Sequence, residues 1–114
     1  MTDGCSRIML IGNDKALTYL IGRYAEQSGY ELTLLSTTPS AKEACDLHPV
    51  AILFASIEQL EAAQSLIEDL ANCEIPVLVC SSIADEMRAR EMGANHCLTS
   101  PLTYNGFLAA LQLQ

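Results

Sequence analysis

The stretch Val50-Ala51-Ile52-Leu53-Phe54-Ala55-Ser56 decides how the rest of the chain is read. Its apolar run contains β-branched and aromatic members, with Pro49 before it and Ser56 and Glu58 after it, which predicts a strand buried on both faces. A strand with no polar face needs cover on both sides, and helices flanking a parallel sheet supply that cover. Ligands of such sheets bind outside the carboxyl ends of the strands. Here that end is Ala55-Ser56, a pair with almost no chemistry.

Upstream, Arg7-Ile8-Met9-Leu10-Ile11 is a second apolar run, closed by the turn residues Gly12-Asn13-Asp14. From Asp14 a helical period takes over through Leu17, Leu20, Ile21 and Tyr24, and Ser28-Gly29 stops it. Tyr30–Leu35 alternates more and contains Glu31, so it reads as a strand nearer the sheet edge. Thr38-Pro39-Ser40 opens a short helix that reaches Leu47. Downstream of the central stretch, residues 57–72 carry the longest helical pattern, with Leu60, Ala63, Leu66, Ile67 and Leu70 on one face. Glu58, Glu61, Glu68 and Asp69 form its solvated face. Residues 75–80 are another doubly buried strand, followed by Ser81-Ser82 and by a helix over 83–92 that Gly93 ends. A last strand covers 95–99, Ser100-Pro101 closes it, and Phe107, Leu108 and Leu111 mark one face of a helix over 104–113.

Strand–helix alternation of this kind argues for a parallel α/β sandwich with right-handed crossovers. The 114 residues read as one domain over 1–114. No apolar run approaches the ~20 residues needed to span a bilayer, so no membrane association is expected. The polar start Met1-Thr2-Asp3-Gly4 lacks a secretory pattern, which makes the cytoplasm the expected compartment. Fourteen acids against six bases give a net charge of −8, the wrong sign for phosphate contacts, so no direct nucleic-acid partner is expected.

The five cysteines, at 5, 45, 73, 80 and 97, form no CxxC pair, and their odd number reads as free thiols. Cys80 and Cys97 sit in apolar segments, where a thiol behaves as a small hydrophobe. His48 and His96 have no ligand-like spacing to the cysteines, so neither a metal nor a cofactor is expected. Gly12-Asn13-Asp14-Lys15 follows a strand but lacks the spacing of a phosphate-binding loop.

Gly93-Ala94-Asn95-His96 before the last strand, Ile75-Pro76-Val77, Gly29-Tyr30-Glu31 and Pro101 after the last strand, taken at their joint spacing, resemble the receiver domain of bacterial two-component response regulators. The resemblance covers nearly the whole chain. It implies a flavodoxin-like three-layer α/β/α sandwich with a five-stranded parallel sheet of order 2-1-3-4-5 and a pocket at the strands' carboxyl ends.

Laid onto this sequence, the family's metal-binding acidic pair falls on Gly12 and Asn13, leaving Asp14 as the nearest carboxylate. The phosphoacceptor aspartate falls on Ala55, which has no nucleophile. Ser56 stands one residue further on, with no base in reach of it in this reading. Ser81 keeps the hydroxyl that reads the phosphoryl group, Ser100 replaces the family's lysine, Pro101 is kept, and Cys97 takes the aromatic switch position. Read without the resemblance, Asp14 suits a helix N-cap, and Ser81-Ser82 a strand end and helix start.

The expectation is a degenerate receiver that is not an enzyme and signals through protein contact. Its partner would be a signalling kinase, an output domain or a second copy. The resemblance places that contact on the fourth helix, fifth strand and fifth helix, where Asp85, Glu86, Arg88, Arg90, Glu91 and Cys97 fall. Its charges would form reciprocal links. Two alternatives are a pocket that senses a small molecule and a phosphorelay role through a non-standard site.

Overall fold

β3 (Ala51–Phe54) runs down the middle of the sheet with all four residues buried. The computed structural model describes residues 6–70, 72–99 and 102–112. β1 (Ser6–Ile11), β2 (Tyr30–Leu35), β4 (Val77–Ser81) and β5 (His96–Thr99) complete a parallel sheet of order β2-β1-β3-β4-β5, the flavodoxin-like order expected.

Alternation along β3 divides the core. Ile52 and Phe54 point to one face with Met9, Ile11, Val77 and Val79, while Ala51 and Leu53 point to the other with Ile8, Leu10, Leu78 and Leu98. The first face is covered by α2 (Ala41–Leu47), α3 (Ile57–Ala62), α4 (Gln64–Leu70) and α5 (Glu86–Glu91). The second is covered by α1 (Lys15–Ser28) and α6 (Tyr104–Gln112), joined by Tyr24, whose ring lies 5.7 Å from that of Phe107 and 5.5 Å from that of Tyr104. Two covered faces explain why β3 has no polar alternation.

The pattern over 57–72 is two helices. Ala63 ends α3, its N–H bonding to Leu60 O at 3.1 Å in a tightened turn. Gln64 Nε2 then donates to Leu60 O and to Met92 O, both at 3.0 Å, so one amide pins the break and ties it to the end of α5. The expected apolar positions Leu60, Ala63, Leu66, Ile67 and Leu70 are buried on both sides of the interruption. The helix over 83–92 likewise begins as a 3₁₀ turn (Ile83–Asp85) before α5, and the short helix starts at Ala41 because Ser40 and Glu43 form a capping box.

One expectation is overturned. Cys45 and Cys73 are not free thiols: they form a disulfide, with Cα atoms 6.4 Å apart across 28 residues of sequence. Docking of α2 on α4 brings the two together, and no local pattern announces it. Cys80 and Cys97 are free, and Cys5 lies outside the described residues. No helix among the described residues is long and apolar enough to cross a membrane.

Candidate functional site

The parallel register brings the ends of β1, β3 and β4 to one edge of the sheet. β1 runs into Gly12, whose N–H donates to Leu35 O at 3.0 Å, and β3 runs into Ala55, whose N–H donates to Ile11 O at 2.9 Å. Gly12 and Ala55 are thereby held against each other. Gly12 has φ +144°, and a Cβ built on it would overlap the Ala55 Cβ, far inside any real carbon–carbon contact. The gap between β1 and β3 at this edge is closed by backbone and a methyl group.

Asn13 and Asp14 follow, both exposed. Asp14 caps α1, its Oδ1 accepting from Leu17 N at 3.0 Å, a role that contributes about 1 kcal/mol. Ser56 is also a cap, its Oγ accepting from Gln59 N at 3.3 Å. At the end of β4, Ser81 Oγ is enclosed and has no partner of hydrogen-bonding geometry. The adjacent Cys97 thiol is pushed up by burial, against the Ser81 hydroxyl and Arg90, which favour its thiolate. Cys97 Sγ donates to Glu86 O at 3.9 Å, a long contact at the limit for sulfur. The Cys80 thiol is pushed up to about 12 by burial and secondarily by the Asp14 charge, so it is inert at neutral pH. Ser100 and Pro101 lie outside the described residues.

The site thus gathers Gly12, Asn13, Asp14, Ala55 and Ser81 at one edge with one carboxylate among them, one oxygen of which caps α1. A hard divalent cation needs several oxygen ligands in octahedral array, and these residues do not fit one. No group of three or more His, Cys, Asp or Glu side chains suited to a metal occurs among the described residues. A groove of about 630 Å³ lies at the opposite edge, beside Ile75, Pro76 and Asn95 where β4 and β5 begin.

Asp85, Glu86, Arg88, Arg90 and Glu91 lie on the 3₁₀ turn and α5, beside Cys97 on β5. Both arginines are engaged within the chain. Arg88 Nη2 meets Glu61 Oε2 at 2.9 Å, and Arg90 meets Glu86 at 3.2 Å while donating to Asn95 O at 3.1 Å. Sequence reasoning missed the apolar pair beside them: Ile83 and Met87 are 73% and 78% exposed, the two most exposed large hydrophobic residues described. Their four-residue spacing was a legible signal, since it puts both on one side of the segment.

No protein-family model matches the sequence, and no functionally characterised protein matches it significantly. Solved structures do. A putative response regulator from Chloroflexus aurantiacus superposes with TM-score 0.76 at 15% identity, covering 96% of this chain and 97% of its own. The receiver domain of a Pseudomonas aeruginosa sensor histidine kinase, with a magnesium ion coordinated in its active-site cleft, gives 0.74 at 19% identity with coverage of 96% and 97%. The Vibrio cholerae chemotaxis protein CheY4 gives 0.71 at 14% identity, covering 96% and 98%. Sheet order, helix placement and these superpositions agree: the chain has the fold of response regulator receiver domains.

Proposed function

We propose that this chain is a degenerate receiver module of two-component signalling, without enzymatic activity, that acts by protein contact instead of through an aspartyl phosphate. The observation that carries this reading is the Gly12–Ala55 contact. Where an acidic pocket would need room for carboxylates and a cation, a Cβ has no room. A side chain without a nucleophile stands at the end of β3, and Asp14 is committed to capping α1.

The test is a titration of the ¹⁵N-labelled chain with Mg²⁺ and then beryllofluoride, which mimics a phosphoryl group on an aspartate. Amide signals of Asn13, Ala55 and Ser81 are expected to stay in place at millimolar Mg²⁺. Saturable shifts at Ala55 and Ser81 would overturn the reading.

Contact is assigned to the face formed by the 3₁₀ turn, α5 and β5, with a signalling kinase, an output domain or a second copy as partner. Ile83 and Met87 supply the apolar centre there, and the internally paired Arg88 and Arg90 form its rim. A Met87→Asp variant is expected to weaken whichever complex forms by about tenfold or more in sedimentation or capture experiments, while leaving unfolding unchanged. Unaltered binding would move the contact to another face.

A further inference from the structure

Cys45 and Cys73 lie in two segments that each carry an independent sign of strain. Among the described residues, the non-glycine residues with positive φ are His48, at 47°, and Glu74, at 57°. His48 is the C-cap of α2, which holds Cys45, and Glu74 directly follows Cys73. Left-handed backbone is disfavoured wherever a Cβ is present, and it persists only where the surroundings impose it.

α2 is weakly held by everything else. It has seven residues, of which Ala44 alone is buried, far short of a helix that stands by itself. Its capping box secures the first turn and leaves the last turn to other fastenings. The last turn has the left-handed His48, the packing of Cys45 on the core, and the bond to Cys73.

We propose that Cys45 and Cys73 are a reversible oxidation site whose co-reactant is a low-molecular-weight disulfide, and that their bond sets the order of α2 and of the 72–74 turn. Cys73 is exposed and Cys45 half-buried, which sets the sequence of events. The Cys73 thiolate attacks one sulfur of the small disulfide, forming a mixed disulfide and releasing one thiolate. The Cys45 thiolate then attacks the Cys73 sulfur, closing the internal bond and displacing the second thiolate. The two cysteines lose two electrons, the small disulfide is reduced to two thiols, and the two cysteine protons end on those thiols. Cys80 and Cys97 do not compete, because burial keeps both as neutral thiols.

The experiment equilibrates the full chain in mixtures of reduced and oxidised glutathione. Free thiols are then alkylated and assigned by peptide mass, and amide hydrogen exchange is followed in the same samples. The Cys45–Cys73 bond is expected to pass from closed to open within the accessible ratios. In the open form, amides of 41–48 and 72–75 are expected to exchange about tenfold faster or more, with β1, β3 and β4 unchanged. A uniform rise across the sheet would mark the bond as a staple of the whole fold and overturn the proposal. So would an unchanged α2, or a bond that no ratio opens. A Cys73→Ser chain should match the reduced chain in both reducing and oxidising buffers. Protection of α2 in that variant under oxidising conditions would count against the proposal, as would a failure of the variant to fold.

Discussion

Phe54→Ala is expected to lower the free energy of unfolding by about 3–5 kcal/mol, the range for truncating a fully buried phenylalanine. Phe54 is 0% exposed and ends the central strand, in register with Ile11 of β1 and Val79 of β4. Those neighbours sit on backbone held in the sheet ladder, so the cavity collapses only in part, and the loss exceeds what buried area alone would give. A domain of this size has roughly 5–15 kcal/mol to lose, so the variant sits near the limit of folding. Urea unfolding followed by far-ultraviolet circular dichroism measures the loss, and Leu34→Ala, on the exposed edge strand at 54% exposure, should change it by no more than about 0.5 kcal/mol. A loss below about 1.5 kcal/mol for Phe54→Ala would mean that the Phe54 ring is not enclosed between the sheet and its covering helices.

Gly12→Asp, which reinstates an acid where the receiver resemblance would have one, is expected to destabilise by about 3 kcal/mol without creating a cation site. Two causes add. Backbone at φ +144° is strained for any residue with a Cβ, at about 1–3 kcal/mol, and forcing that carbon against Ala55 adds an overpacking cost of about 1–3 kcal/mol. Neither partner can slide away, because Gly12 is bonded to Leu35 and Ala55 to Ile11. A double-mutant cycle separates the two causes. Adding Ala55→Gly removes the carbon–carbon clash but leaves the backbone strain, so about half of the loss should return. Full recovery would show that the backbone conformation at Gly12 costs nothing. No recovery would show that the Ala55 methyl is not what closes the edge. In either case, millimolar Mg²⁺ should not raise the midpoint of the Gly12→Asp chain, since one added carboxylate beside a capping Asp14 does not make an octahedral site.

The strand–helix order, the double burial of residues 51–54 and the cap at Asp14 follow from the sequence by itself. Each depends on neighbours within a few positions: a continuous apolar run, a helical stripe, or a short polar side chain ahead of a helix. The same locality made it legible that Gly12 and Ala55 carry no carboxylate. What those two residues do to each other was decided by the tertiary structure, because their contact exists only once β1 and β3 are in register. The Cys45–Cys73 bond, the Arg88–Glu61 pair and the Gln64 link to Met92 have the same origin, each joining residues that are remote along the chain. Periodicity assigns a side chain to a face of its helix. It does not say which helix docks against that face or at what height along the axis, and a shift of one residue, ~1.5 Å, is enough to make or break such a contact.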